Sequence, residues 1–256
     1  MMIDIHSHIL PGIDDGAKSV EDSLAMARQA AEQGITKIVA TPHNKNGTYD
    51  NGRGVILNEV QLLNESLQQE GIDLEILPGQ ENRIYGELVD DLQGDELLTV
   101  NQKGLYMLIE FPSSHLPRYA NKLLFDLQVK GIIPIIVHPE RNREIMENPE
   151  RLYKLIKEGA LSQLTGKSVT GEMGKKIQKF SFDLIQYNLA HFIASDAHNT
   201  INRPFDLRDA METVGKEFGN STRYMLQENA EDMIVGRMVA KELPEKIKKK
   251  KILGLF

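Results

Sequence analysis

With 256 residues, 41% of them hydrophobic and 26% charged, the chain has the composition of a globular α/β-barrel-sized protein rather than a disordered or membrane one. It contains no cysteine, which excludes disulfides, thiolate metal sites, iron–sulfur clusters and every mechanism built on a cysteine nucleophile. The net charge of −7 argues against non-specific nucleic-acid binding, which needs a basic surface to displace counterions from phosphates, so an anionic ligand has to be attracted locally.

The N-terminus has no basic n-region and carries Asp4, His6 and His8, so it does not read as a signal peptide. Apolar runs such as Ile132 to Val137 fall far short of the roughly 20 residues of a spanning helix. The expected location is the cytoplasm, with no stable membrane insertion.

In chain order, short aliphatic runs alternate with amphipathic segments, the pattern of βα units around a parallel sheet. A strand over Met2 to His6 leads to a helix over Leu24 to Gln33. Ser19 and Asp22 resemble a capping box before that helix, and Gly34 stops it. Strands then follow over Ile35 to Thr41, Leu74 to Leu77, Leu105 to Glu110, Ile132 to His138, Ala160 to Leu164 and His191 to Ser195. Helices over Asn58 to Glu70, Tyr119 to Lys130 and Pro149 to Glu158 each end before a glycine, with Pro149 at a plausible first position. Two further helices, Pro204 to Glu217 and Thr222 to Met238, precede the basic tail Lys246 to Lys251 and Ile252 to Phe256. With seven strands and no linker, the expectation is one α/β domain over residues 1–256, with a solvated basic tail from about residue 244.

In a parallel barrel the active site lies where strands end and βα loops begin, and the chemically active side chains cluster there. His6 and His8 end the first strand, His43 follows the second, Glu81 the third, Glu110 ends the fourth, His138 the fifth, and Asp196 and His198 follow the seventh. Residues two apart on a strand share a side, so the imidazoles of His6-Ser7-His8 reach one ion while Ser7 points away. Glu81 and Glu110 flank buried strands, where an unpaired carboxylate acquires a cation or neutralises. A carboxylate bridging two metals resolves that cost. Asp14-Asp15-Gly16 is turn chemistry by composition, and its position near His43 and His198 lets Asp15 complete a third site. His115 falls in a loop, and His191 starts the seventh strand at the opposite barrel end, where a structural role is expected.

The ordered set DIHSHILPGIDDG, TPH, GQE, LIEF, VHPER and ASDAHN resembles the polymerase and histidinol phosphatase (PHP) superfamily. It is most similar to the bacterial manganese-dependent tyrosine-protein phosphatases of capsular and exopolysaccharide synthesis, over Met2 to about residue 235. The resemblance implies a distorted seven-stranded (β/α)7 TIM-like barrel, the PHP fold, with three divalent metals. His6, His8, Glu81 and Asp196 would hold the first, Glu81, Glu110 and His138 the second, and Asp15, His43 and His198 the third. It also implies Arg141 and Arg203 as phosphate ligands, in keeping with the planar fork that guanidinium offers phosphate oxygens.

The expected reaction is hydrolysis of a phosphate monoester by a hydroxide whose pKa the metals have lowered, without a covalent phosphoenzyme. The expected substrate is a phosphotyrosine protein, such as a bacterial tyrosine kinase or its targets, reached through a cleft whose rim includes the Ser113 to Arg118 loop. Manganese is the family-based metal, while nitrogen and oxygen ligands also suit iron or zinc. A small-molecule phosphatase such as histidinol-phosphate phosphatase uses the same cluster. An amidohydrolase is a weaker alternative, since that class typically bridges its metals with a modified lysine where Glu81 stands here. A metal-stabilised docking module without catalysis is the alternative outside enzymes.

Overall fold

The computed structural model describes residues 1–94 and 96–248, so Lys249 to Phe256 of the expected tail lie outside the described residues. The strands are β1 (Met2–Ser7), β2 (Ile35–Ala40), β3 (His43–Asn44), β4 (Glu75–Pro78), β5 (Glu81–Arg83), β6 (Tyr106–Glu110), β7 (Ile133–Val137), β8 (Leu161–Thr165) and β9 (Phe192–Ala194). All pairings are parallel, in the orders β1-β2-β4 and β3-β5-β6-β7-β8-β9. The seven expected strands are recovered with bounds shifted by a residue or two, and two short strands that were not expected, β3 and β5, follow the second and third. Thr41-Pro42 separates β2 from β3, and Gly79-Gln80 after Pro78 separates β4 from β5. Proline has no N–H to continue a ladder, and a Cβ on Gly79 would stand 2.5 Å from Val39 Cγ1, so the chain steps over its neighbour at these kinks. The ring closes through a bridge between Ser7 and Ala197, with His8 N donating to Ala197 O at 2.8 Å and Asp196 N to His6 O at 3.0 Å.

The helices are α1 (Val20–Glu32), α2 (Arg53–Gln69), α3 (Leu88–Gln93), α4 (Ala120–Val129), α5 (Arg143–Glu147), α6 (Glu150–Lys157), α7 (Gly166–Thr170), α8 (Lys175–Gln186), α9 (Leu207–Phe218) and α10 (Asn220–Ile234). Ser19 caps α1, its Oγ accepting from Asp22 N at 3.3 Å, while Asp22 Oδ2 in return accepts from Lys18 N. The expected helix from Pro204 begins only at Leu207, and that expected to reach Met238 stops at Ile234 before Gly236, whose φ is +73°. α3, α5, α7 and α8 have no counterpart in the sequence reading. Among the described residues no helix is long and apolar enough to cross a membrane.

Side-chain alternation divides the apolar residues into two cores. Met107, Ile109, Ile136, Leu164 and Ile193 face the helices, whereas Tyr106, Leu108, Ile135, Val137, Leu161, Phe192 and Ala194 fill the barrel interior with Ile3 and Ile5. Ala230, Met233 and Ile234 of α10 join this interior core, and Asn229 Nδ2 donates to His191 O, so α10 seals the N-terminal end of the barrel. At the other end the inward positions change character, as in Tyr106-Leu108-Glu110, Leu161-Gln163 and Phe192-Ala194-Asp196. The alternation that packs the floor thus delivers Glu110 and Gln163 to the rim, while Asp196 lies just past the end of β9.

Before the tail leaves the described region, Lys246 Nζ pairs with Glu150 Oε1 at 2.8 Å and lies over the Tyr153 ring. The side chain of this first lysine of the basic run remains 62% exposed.

Candidate metal centre

The first strand reaches the rim through a bulge. Asp4 is opposite Ile38 and Ser7 opposite Ala40, so β1 spends one more residue than β2 over this stretch. A bulge re-aims the side chains after it, and His6 and His8 consequently face the interior although Ile3 and Ile5 already do. The disturbed backbone is satisfied by buried Asp4, whose Oδ1 accepts from His6 N and Ser195 N, both at 3.2 Å. His138 and Asp196 reach the interior by left-handed backbone instead, with φ of 36° and 55°. Such conformations cost about 1 kcal/mol or more for residues with a Cβ and concentrate at functional sites.

The side chains so delivered converge. His6 Nε2 and His8 Nε2 are 3.4 Å apart. Each lies 3.4–3.6 Å from both Glu81 Oε2 and Asp196 Oδ1. Asp15 Oδ1 is 3.4 Å from His43 Nε2 and from His198 Nε2. His43 Nδ1 approaches Glu81 Oε2 to 2.7 Å and Glu110 Oε2 to 4.0 Å, and His138 Nε2 meets Glu81 Oε1 at 2.9 Å. Donor atoms fall within 4.8 Å of one another in three groups: His8, Asp15, His43 and His198; His6, His8 and Glu81; and His43, Glu81 and Glu110. Glu81 belongs to two of these. The grouping differs from each implied ligand set: His8 joins Asp15, His43 and His198; Asp196 is not grouped with His6, His8 and Glu81; and His43 takes the place of His138 beside Glu81 and Glu110, while His138 touches the far oxygen of Glu81.

Whether such a site suits cations is decided by its unpartnered atoms. His43 Nδ1, Glu81 Oε2, Glu110 Oε2 and His198 Nε2 are buried without an aligned hydrogen bond. Leaving such atoms unpaired is costly, and here they belong to one cluster of nitrogen and oxygen donors of the type that hard and borderline divalent metals accept. The titration behaviour has the same origin. Burial opposes ionisation of Glu81 and Asp196, but the surrounding histidines, with the arginines at Asp196, hold both far below the ordinary carboxylate range. Burial and the nearby Glu81 push Glu110 up to about 7 against the pull of Arg83. His43 is carried up to about 9 by Asp15 and Glu81 despite burial, while burial brings His138 and His198 down to about 4.

Neighbouring groups fix the candidate ligands. His8 Nδ1 lies 2.6 Å from Asp14 Oδ2, and Asp14 also accepts from Gly16 N and His43 N. His6 Nδ1 lies 2.9 Å from Gln163 Oε1. Each contact sets which imidazole nitrogen remains for a metal. Gly16 is required by close approach, since a Cβ there would fall 2.0 Å from His8 O. Sequence reasoning missed these supports. Asp14 was visible in the Asp-Asp-Gly turn but had no local link to His8, whereas Gln163 was detectable as a polar residue at an inward position above Leu161. Arg83, whose terminal nitrogen lies 3.2 Å from Glu110, was also missed. His191 is structural as expected, accepting from Ser162 N at 3.1 Å and pushed down to about 3 by burial. His115 sits in an exposed loop beside Ser114.

Arg141 and Arg203 enter from opposite loops and meet on one atom, Asp196 Oδ2, at 2.5 and 2.7 Å. Their side chains remain 30% and 32% exposed, so this edge of the cluster faces solvent. Asn142, next to Arg141, donates to Pro112 O and His115 O, tying the Ser113 to Arg118 loop to the same rim.

Fold and site together define a class, the α/β-barrel hydrolases of metal-dependent type. The chain belongs to the capsular polysaccharide synthesis CpsB/CapC family, whose pattern it matches over residues 2–235. It is 50% identical over 255 residues to the tyrosine-protein phosphatase YwqE of Bacillus subtilis (strain 168), covering 100% of both chains. It is 30% identical over 244 residues to the tyrosine-protein phosphatase CpsB of Streptococcus pneumoniae, covering 93% of this chain and 100% of that one. Its fold matches a chain from the crystal structures of YwqE and CpsB, described as unique metal-dependent tyrosine phosphatases. The TM-score is 0.94 at 50% identity, covering 97% of this chain and 100% of that one.

Proposed function

We propose that the chain is a metal-dependent protein-tyrosine phosphatase of PHP type, acting in the cytoplasm on a tyrosine kinase or its targets in polysaccharide synthesis. The observation that carries the phosphate-ester reading is the pair of partly exposed guanidiniums of Arg141 and Arg203 beside a cluster of metal-type ligands. Two planar forks converging at one edge form a receptor for a dianion, which hydrolysis of a neutral amide does not need. With no cysteine in the chain, the cysteinyl route to phosphotyrosine is closed. Preference for phosphotyrosine over other esters is supported by the activity for which the relatives are named.

His6, His8, Glu81 and Asp196, then Glu81, Glu110 and His138, then Asp15, His43 and His198 are the residues that would hold three divalent ions, with manganese preferred. When bound, these ions lower the pKa of water and offset phosphate charge. Asp14 and Gln163 keep His8 and His6 in the tautomer that offers Nε2 inward. Arg141 and Arg203 orient the phosphoryl oxygens and stabilise charge as the ester bond lengthens. Asp196 holds both arginines ready at the solvent edge.

The test is phosphate release from a phosphotyrosine peptide, a phosphoserine peptide and histidinol phosphate, using metal-stripped and Mn2+-reconstituted protein. Turnover on phosphotyrosine that appears with Mn2+ and vanishes in His138→Ala is expected. Preference for histidinol phosphate would overturn the substrate, and no turnover on any ester would leave a non-catalytic docking protein.

A further inference from the structure

We propose that Arg83 is a positioning residue that holds Glu110 in place as a metal ligand, an inference that rests on the metal-centre reading above. Arg83 is the last residue of β5, two positions from Glu81 and therefore on the same face of the strand. In the parallel ladder it stands directly opposite Glu110. One terminal nitrogen lies 3.2 Å from Glu110 Oε2, and the other donates to Phe111 O at 3.0 Å. The guanidinium is thus anchored twice at the end of β6, which fixes its plane as a single contact would not.

The pair is sheltered, with side-chain exposures of 25% and 12%, so solvent screens it less than a surface ion pair. Glu110 also faces a second buried carboxylate, since Glu81 shares the His43 group with it. A positive charge on the outer side of Glu110 offsets that repulsion. The Arg83 nitrogen nevertheless lies out of line for a hydrogen bond, and Glu110 Oε2 keeps its lone pairs without a partner. Arg83 therefore supplies charge and orientation while leaving the ligand atom available. Without it, Glu110 relieves its repulsion from Glu81 by swinging away, which removes a ligand from the group formed with His43.

The experiment measures Mn2+ bound per chain by equilibrium dialysis and calorimetry for the metal-stripped wild type, Arg83→Met, Arg83→Lys, Glu110→Gln and the double variant Arg83→Met/Glu110→Gln, with folding checked by circular dichroism. Arg83→Met is expected to weaken one Mn2+ site by about 10–100-fold, the usual effect of losing a group that orients a ligand, while the site containing Asp15 and His198 is unchanged. Arg83→Lys, which keeps the charge with a single anchor, is expected to fall between, and the double variant to lose no more than Glu110→Gln alone. Wild-type affinity and stoichiometry in Arg83→Met, or additive losses in the double variant, would overturn the role of Arg83 and leave the phosphatase reading intact. A wild type that binds no Mn2+ would sink both.

Discussion

Replacing Asp206 by asparagine is expected to stabilise the protein, by an amount that grows with pH. Asp206 is 5% exposed and stands at the N-cap of α9, yet it makes no capping bond and neither carboxylate oxygen has a hydrogen-bond partner. It is pressed against Gly166, where a Cβ would lie 2.2 Å from Oδ1. Burial, then the negative charges of Asp4 and Glu172, push its carboxyl up from 3.8 to about 8. Between those values the folded chain holds a proton that the unfolded chain has released. Stability from this group is thus fully present below pH 3.8 and is lost as pH rises toward 8. At about 1.4 kcal/mol per unit, the loss accumulated by pH 7 reaches about 4 kcal/mol. Asparagine is neutral throughout and keeps the shape. Urea denaturation of both proteins at fixed metal concentration, from pH 4 to pH 8, is therefore expected to show near-equal stability at pH 4. The variant should gain up to about 4 kcal/mol by pH 7 and level off near pH 8. A pH-independent difference, or a less stable variant at pH 7, would refute the reasoning.

Gly16→Ala forces a Cβ into His8 O and is expected to cost on the order of 3 kcal/mol of stability, with His8 displaced; an unchanged melting temperature together with full metal binding would show that the turn relaxes freely. Arg141→Lys and Arg203→Lys keep the charge but lose the planar fork. Each is expected to raise KM for a phosphotyrosine peptide about 10-fold while Mn2+ stoichiometry stays at the wild-type level, and steady-state kinetics with metal analysis separates this from loss of the cluster.

Much of this protein was legible before any coordinates. A strand has a period of two and a parallel barrel puts its chemistry at the C-terminal strand ends, so the histidines and carboxylates from His6 to His198 announced a rim cluster by position alone. The motifs then supplied the capsular-type tyrosine-phosphatase family, which the CpsB/CapC match bears out. The helices that stop at Gly34, Gly71, Gly131 and Gly159 were equally plain, because each stop is a local backbone requirement.

What stayed hidden depended on groups distant in sequence. The interruptions at Pro42 and after Pro78 follow from how neighbouring strands cross, and the bulge that turns His6 inward is visible only against β2. Short α3, α5 and α7 carry too little periodicity to register, and their helical form is settled by what they pack on. Asp14 at His8, Gln163 at His6 and Arg83 at Glu110 are ordinary polar residues until the barrel closes. The sequence by itself determined the candidate ligands, because their chemistry is intrinsic to the side chains. Only tertiary structure decided their aim and support, because these arise from charges and hydrogen bonds between segments that meet when the sheet curls into a ring.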